Sequence, residues 1–264
     1  MRGDSALIQG IEALNRFSTY KNKIRVCIDS DMYPHKDWLK QYDNVEIFKS
    51  TYKSALTEAN SWEYILKRYF ETVKESILAC DDDELVSYAY LADSICSKGW
   101  DKNVLDAFNT LGEDYVYAPM WLEPRVPSNN NHTINPHNVW NRNTGWRRDV
   151  CHCLIFPITP ERSAKLLTAQ DAITEDEFDD WIKKATQGKP FKDRHQEPCG
   201  ARILGYFTAV CGTGKKLKER IHEARTGPGW DLEFEARLGE KIVITNSFLL
   251  HVHCTFKFKE EDNE

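Results

Sequence analysis

The chain has no apolar run long enough to span a membrane, no signal-peptide core at its start, no internal repeat and no low-complexity tract. Those absences point away from a membrane-spanning protein, a leader-directed secreted protein, a solenoid and a disordered segment. Positive charge is also short. With a formal net charge of −6, a partner held mainly through a phosphate backbone is disfavoured, and nucleic acid is not indicated. An anionic ligand would need local help from Arg, Lys or a metal. The eight cysteines lack the dense spacing of a disulfide scaffold, so reduced thiols and a cytoplasmic location are expected. Without a leader, the glycosylation pattern at Asn131-His-Thr133 reads as coincidence. A phosphate-binding loop is missing as well. Gly212-Thr-Gly214-Lys215-Lys216 has Ala209 where the first glycine of that motif belongs and Lys216 where its Ser or Thr belongs.

What is present is ordinary globular composition, 41% hydrophobic and 29% charged, in 264 residues. That is enough for one large α/β domain over residues 1–264. Its most distinctive stretch is Ile77-Leu-Ala-Cys-Asp81-Asp82-Asp83-Glu84-Leu-Val, an apolar run that stops in four acids. Crowded carboxylates repel one another unless a cation sits between them. The competing reading is a solvated acidic turn or a helix N-terminus, where the dipole favours acids.

Apolar spacing predicts a helix over Ser5 to Phe17, strands over Lys23 to Asp29 and Asn44 to Phe48, and a long helix from about Ala55 to Val73. Ile77 to Cys80 then reads as a strand that delivers the acids at its carboxyl end. Leu85 to Ile95 reads as a helix, Asn103 to Leu111 as another, and Asp114 to Leu122 as a strand. From Glu123 to Arg148 aliphatic runs vanish and Pro, Asn, His, Trp and Arg dominate, marking a long functional loop. Further on come a strand at Cys151 to Pro157, a helix capped by Thr159 and opened by Pro160, and an amphipathic helix with a Thr174–Glu177 capping box. A basic helix over Lys215 to Arg225 and two β-like runs between Lys241 and Phe258 complete the chain. The alternation predicts an α/β fold of Rossmann type, a mixed but mainly parallel sheet flanked by helices.

This order of elements, with Asp81-Asp82-Asp83 after the third strand, resembles the GT-A family of nucleotide-sugar-dependent glycosyltransferases over roughly the first half of the chain. The resemblance implies a nucleotide-sugar-binding half at residues 1–122 and an acceptor-side half at 123–264. It also implies a divalent cation, Mn2+ or Mg2+, held against the donor diphosphate, and an acceptor that is a glycan or another hydroxyl compound. Asp83 is then the leading metal ligand and Asp81 the second, while Asp82 meets the donor ribose; neighbouring side chains in an extended segment diverge, so the three do not share one ion. Asp29 and Asp31, at the end of the first strand, would recognise the base or ribose, or else form a turn. Arg2 would be a forked partner for the diphosphate, or else a solvated terminal arginine.

Family members often add a late histidine to the metal, which makes His251 and His253 candidates. Together with Cys151-His152-Cys153 the same histidines offer a competing zinc site. A base for the acceptor hydroxyl is sought among second-half carboxylates, Asp176, Glu177 and Asp149 first, with Glu175, Asp193 and Glu197 behind. For the acids of the capped helix, solvation is the simpler reading. Trp121, Trp140, Trp146 and Arg147-Arg148 could stack on a sugar or bind phosphate, or merely pack beneath the loop. The family's usual first strand is missing before the first helix, and Lys241 to Asn246 is a candidate to supply it. Two other classes fit parts of the pattern. A nucleotidyltransferase also needs paired carboxylates and a metal, and a non-catalytic carbohydrate-binding protein would account for the Trp-rich loop alone.

Overall fold

The computed structural model describes residues 4–29, 37–51, 72, 74–88, 94–126, 153–186, 210–221, 242–251 and 254–260. The predicted long helix at 55–73 and the Trp-rich loop beyond residue 126 lie outside them. The elements in chain order are α1 (Asp4–Phe17), β1 (Ile24–Asp29), a 3-10 turn (Asp37–Gln41), β2 (Val45–Ser50), a helical stretch at 74–78 (α2), β3 (Leu85–Tyr88), β4 (Ser94–Cys96) and α3 (Trp100–Leu111). They continue with β5 (Val116–Arg125), β6 (Cys153–Pro157), α4 (Pro160–Leu167), β7 (Ala172–Thr174), α5 (Glu175–Thr186), β8 (Val210–Thr213), α6 (Gly214–Ile221), β9 (Ile242–His251) and β10 (Thr255–Lys257).

The fold is α/β, but its main sheet is mixed rather than mainly parallel. Its strands run β3-β8-β5-β9-β4, with β6 beside the second half of β5. Only β6 and β9 lie parallel to β5; β8 is antiparallel to β5, β3 to β8, and β4 to β9. The difference arises at residues 85–95. There Leu85-Val-Ser-Tyr88 and Ser94-Ile-Cys96 pair at opposite sheet edges as β3 and β4, where a helix was predicted. Short apolar runs fit both periodicities, and pairing with β8 and β9 decides between them. Conversely, the expected strand at Ile77 to Cys80 is absent, because residues 74–78 are helical. β9, the candidate for the missing first strand, lies between β5 and β4 instead of beside β1.

β5 is buried on both faces, which is why its sequence is nearly continuous in apolar residues. Val116, Ala118, Met120 and Leu122 face a cluster with Ala13 and Phe17 of α1, Phe178 and Trp181 of α5, Leu217 of α6 and Phe256 of β10. Tyr117 points the other way, against Val104 and Ala107 of α3. Its hydroxyl donates to the Gly112 carbonyl at 2.6 Å, and burial pushes its pKa up to about 12. β1 and β2 form a separate parallel pair in register from Ile24–Val45 to Asp29–Ser50, packed on α1 through Ile11, Val26 and Leu39.

A proline in a central strand demands compensation, since it cannot donate to the ladder. At Pro119 the β5–β9 register jumps from Ala118–Ile244 to Met120–Phe248, so Thr245, Asn246 and Ser247 bulge opposite one residue. Local partners hold the bulge, although Asn246 Oδ1 is buried without a hydrogen-bond partner among the described residues. The Thr245 hydroxyl donates to the Ala118 carbonyl at 3.3 Å and that of Ser247 to the Trp100 carbonyl at 3.1 Å, while Asn103 Nδ2 donates to the Asn246 carbonyl at 3.1 Å.

Two carboxylates tie the layers together. Asp101, at the start of α3, accepts from the Thr19 and Tyr20 backbone amides and from Asn22 Nδ2, each at 2.8 Å. Burial would raise its pKa, but these hydrogen bonds and one from the Lys102 amide outweigh burial and hold the carboxyl below its ordinary value. Glu175, expected to be solvated, is instead 3% exposed. It pairs with Arg16 Nε at 3.2 Å and Lys98 Nζ at 2.7 Å, and accepts from the Lys259 amide at 3.0 Å. α1, the start of α3, α5 and the C-terminal segment therefore meet on one carboxylate.

Candidate metal-binding site

The acidic residues occupy a tight turn between α2 and β3, at the amino end of a strand and not at its carboxyl end. The turn is seated on the β8–α6 corner. Gly214 N donates to the Glu84 carbonyl at 2.8 Å and Lys215 N to the Asp82 carbonyl at 3.0 Å, while Lys216 N is capped by Thr213 Oγ1 at 3.2 Å. The first amides of α6 are therefore already occupied by the acidic turn and by Thr213. This is the physical role of the Gly-Thr-Gly-Lys-Lys stretch that only partly matches a phosphate loop. Its glycine permits contact with the acidic turn, because a Cβ on Gly214 would lie 2.0 Å from the Asp81 carbonyl oxygen.

The three aspartates differ in their partners. Asp82 is paired with Lys218 Nζ at 2.8 Å, and that hydrogen bond and charge, aided by Lys215, hold its carboxyl below the ordinary aspartate value. Asp81 and Asp83 are exposed, and their carboxylates meet no cation among the described residues. Glu84 is partly exposed and reaches the Asp81 amide through Oε2 at 3.4 Å. Lys218 was not identified from the sequence. The signal was available in the match between a run of acids and a helix reading Gly-Lys-Lys-Leu-Lys, whose opposite charges invite contact.

Other expected partners lie elsewhere. Glu75 accepts from Thr51 N at 2.7 Å just past the end of β2, whereas Cys80 lies 3.2 Å from Arg25 Nη1 near the start of β1. α2 thus runs against β1 and β2, leading the acidic turn toward the end where these strands begin. Asp29 lies at the end where they finish. His251 is farther still. Leu85 pairs with Thr213 and Cys211 with Tyr117, so the acidic turn is level with the start of β5; His251 follows Leu250, which pairs with Leu122 near its finish. At about 3.3 Å per residue and 4.8 Å per strand, the two are on the order of 30 Å apart. The sheet does not bring His251 to the aspartates.

Asp176 and Glu177, candidates for the acceptor base, each meet a cation. Asp176 pairs with Lys259 Nζ at 3.3 Å and Glu177 with Arg162 Nη2 at 2.6 Å. The Thr174 hydroxyl caps α5 by accepting from Glu177 N at 3.1 Å. Arg2, Asp31, Asp149, Cys151, His152, Asp193, Glu197, His253, Trp140, Trp146, Arg147 and Arg148 lie outside the described residues. Cys153 and Trp121 belong to β6 and β5, on strands paired with each other.

Among the described residues, no three His, Cys, Asp or Glu side chains converge to hold a metal ion. The donor set at Asp81 and Asp83 nevertheless fits a hard cation of the Mg2+ or Mn2+ kind. Such an ion commonly takes one or two carboxylates and completes its shell with water and substrate phosphate oxygens. Among the described residues, no helix is long and apolar enough to cross a membrane. Compared with known protein families and with characterised protein sequences, the chain matches none at a significant level.

Proposed function

We propose that this chain is a divalent-metal-dependent glycosyltransferase with a GT-A-like fold, moving a sugar from a nucleotide-sugar donor to the hydroxyl of a glycan or similar acceptor. The observation that carries the reading is the division within the acidic turn: Asp82 is neutralised by Lys218, while Asp81 and Asp83 are left exposed on backbone anchored to α6. From the sequence resemblance only the Asp81-Asp82-Asp83 motif itself adds support, since the strand expected before it and the helix expected after it are replaced by a helix and by strands.

In this reading Asp81 and Asp83 would hold Mn2+ or Mg2+, whose chemistry there would be to stabilise negative charge on a departing nucleoside diphosphate. The Gly214 and Lys215 amides keep the turn in place, so the two carboxylates need little rearrangement when a ligand arrives. Lys218 removes one charge from a crowded cluster and lowers the repulsion between the remaining acids. Lys215, exposed on the same corner, adds positive potential toward an anionic donor.

Turnover tests this directly. With Mn2+ and an acceptor mixture, the chain is expected to release nucleoside diphosphate from at least one sugar nucleotide in a panel of UDP-, GDP- and dTDP-linked donors. Chelation of the metal should stop the release. Pyrophosphate release from nucleoside triphosphates, without diphosphate release from any donor, would replace glycosyl transfer by nucleotidyl transfer.

A further inference from the structure

A second recognition surface lies where α1, the α1–β1 connection and the turn before β2 meet. It is an open groove of about 350 Å3 whose walls include Asn15, Tyr20, Lys21, Gln41, Tyr42 and Asn44. The volume is within the range of roughly 300–1,000 Å3 typical of small-molecule sites. Like the acidic turn, it is at the end of the β1–β2 pair where the strands begin, since Lys21 and Asn44 immediately precede that end.

Three properties define what it would bind. First, it is preorganised: Asp101 fixes the backbone at Thr19 and Tyr20, and Asn44 Nδ2 reaches Asn15 Oδ1 at 2.6 Å and the Asn22 carbonyl at 2.7 Å. Second, its charge is balanced. Lys21 pairs with Asp43 across the groove, so neither anions nor cations are strongly favoured. Third, the chemistry of its lining is mixed in the way a sugar requires. The Asn15 and Asn44 amides are tied to each other and to the Asn22 carbonyl, and what they and Gln41 offer a sugar hydroxyl is the second Asn15 Nδ2 hydrogen and the remaining lone pairs of their carbonyl oxygens. Tyr20 is 47% exposed, and its ring is the aromatic surface available to the C–H side of a pyranose. Lipid tails would find too little apolar wall, and phosphate would find no uncompensated cation.

We infer that this groove is a subsite for a neutral saccharide, the acceptor of the proposed transfer. Its role as an acceptor site rests on the transferase reading, whereas saccharide binding itself does not.

The test separates the two. The full chain, free of metal and nucleotide, is titrated by calorimetry with maltotriose, cellotriose and chitotriose. At least one should bind with millimolar affinity or better. Tyr20→Ala should weaken that binding about tenfold while leaving the thermal transition unchanged, since the ring is solvent-facing. Asn44→Ala should also weaken binding, and its melting curve reports the loss of the Asn15 and Asn22 contacts separately. The inference is overturned if none of the three sugars binds, or if Tyr20→Ala binds as tightly as the parent. If sugar binding depends on Tyr20 but no sugar nucleotide is turned over, the groove stands and the transferase reading falls. Turnover with sugar binding indifferent to Tyr20 has the opposite meaning.

Discussion

Gly214→Ala is expected to destabilise the protein by about 3 kcal/mol, a large value for adding one methyl group. The added Cβ would meet the Asp81 carbonyl oxygen at 2.0 Å and its carbon at 3.1 Å, both backbone atoms that cannot rotate aside. Relief requires the acidic turn to lift from α6. That would stretch the hydrogen bonds from Gly214 N to Glu84 and from Lys215 N to Asp82, 2.8 and 3.0 Å long. At a few degrees per kcal/mol for a chain of this size, the midpoint of thermal unfolding should fall by roughly 10 °C. Gly112→Ala is the matched control. Nothing lies within 4 Å of its Cβ, and only its backbone resists a side chain, because φ +86° with ψ −171° is a conformation essentially confined to glycine, at about 1–3 kcal/mol. A shift of less than about 2 °C for Gly214→Ala would show that the turn is not seated on the β8–α6 corner.

Glu175→Gln should cost about 2 kcal/mol at neutral pH. Removing one partner of a buried ion pair typically costs about 3–5 kcal/mol, but here Lys98 is 55% exposed and Arg16 27%, so solvent screens part of the loss. Gln keeps an acceptor for the Lys259 amide and loses the attraction to both cations. The pH dependence has a definite sign. Burial would raise the Glu175 pKa, but the Lys98 hydrogen bond, the Lys259 amide and the charges of Lys98 and Arg16 prevail and lower it. The carboxylate therefore binds protons less readily in the folded protein than in the unfolded chain. Its stabilisation is complete above the ordinary glutamate value of about 4.3 and is lost as pH falls through the lowered folded value. Chemical denaturation from pH 7 down to pH 3 should show the parent losing its advantage over Glu175→Gln across that acid window. A constant difference at every pH would contradict the assignment.

Much of the fold was legible where local chemistry and burial agree. α1 was visible from the spacing of Leu7, Ile11 and Leu14, α4 from Thr159 and Pro160, and α5 from the Thr174–Glu177 cap; the Thr159 side chain does accept from Arg162 N, at 3.1 Å. The failures lie where partners distant in sequence decide. Ile77 to Cys80 is too short for its period to be read, and residues 85–88 and 94–96 become strands only because β8 and β9 offer them edges. The expected parallel character of the sheet rests on alternation of elements, a pattern broken once residues 85–88 and 94–96 are strands.

The site divides similarly. The acids were conspicuous in the sequence, and their crowding raised the question of a counter-charge. The answer for Asp82 is Lys218, more than a hundred residues away in the chain, a pairing that no local pattern specifies. Glu175 looked like one more acid of a solvated helix face. Its burial follows from the closeness of Arg16 and Lys98, and becomes visible only once α1 and the start of α3 are folded together.

The central claim is that Asp81 and Asp83, and not Asp82, hold the divalent ion. Calorimetric titration of Mn2+ in the presence of a nucleoside diphosphate tests it most directly, with the parent, Asp83→Asn and Asp82→Asn side by side. The parent should bind one ion saturably, Asp83→Asn should lose about tenfold or more in affinity, and Asp82→Asn, whose carboxylate is already committed to Lys218, should change by less than about threefold. No Mn2+ binding by the parent, or an equal loss in both variants, would contradict the account.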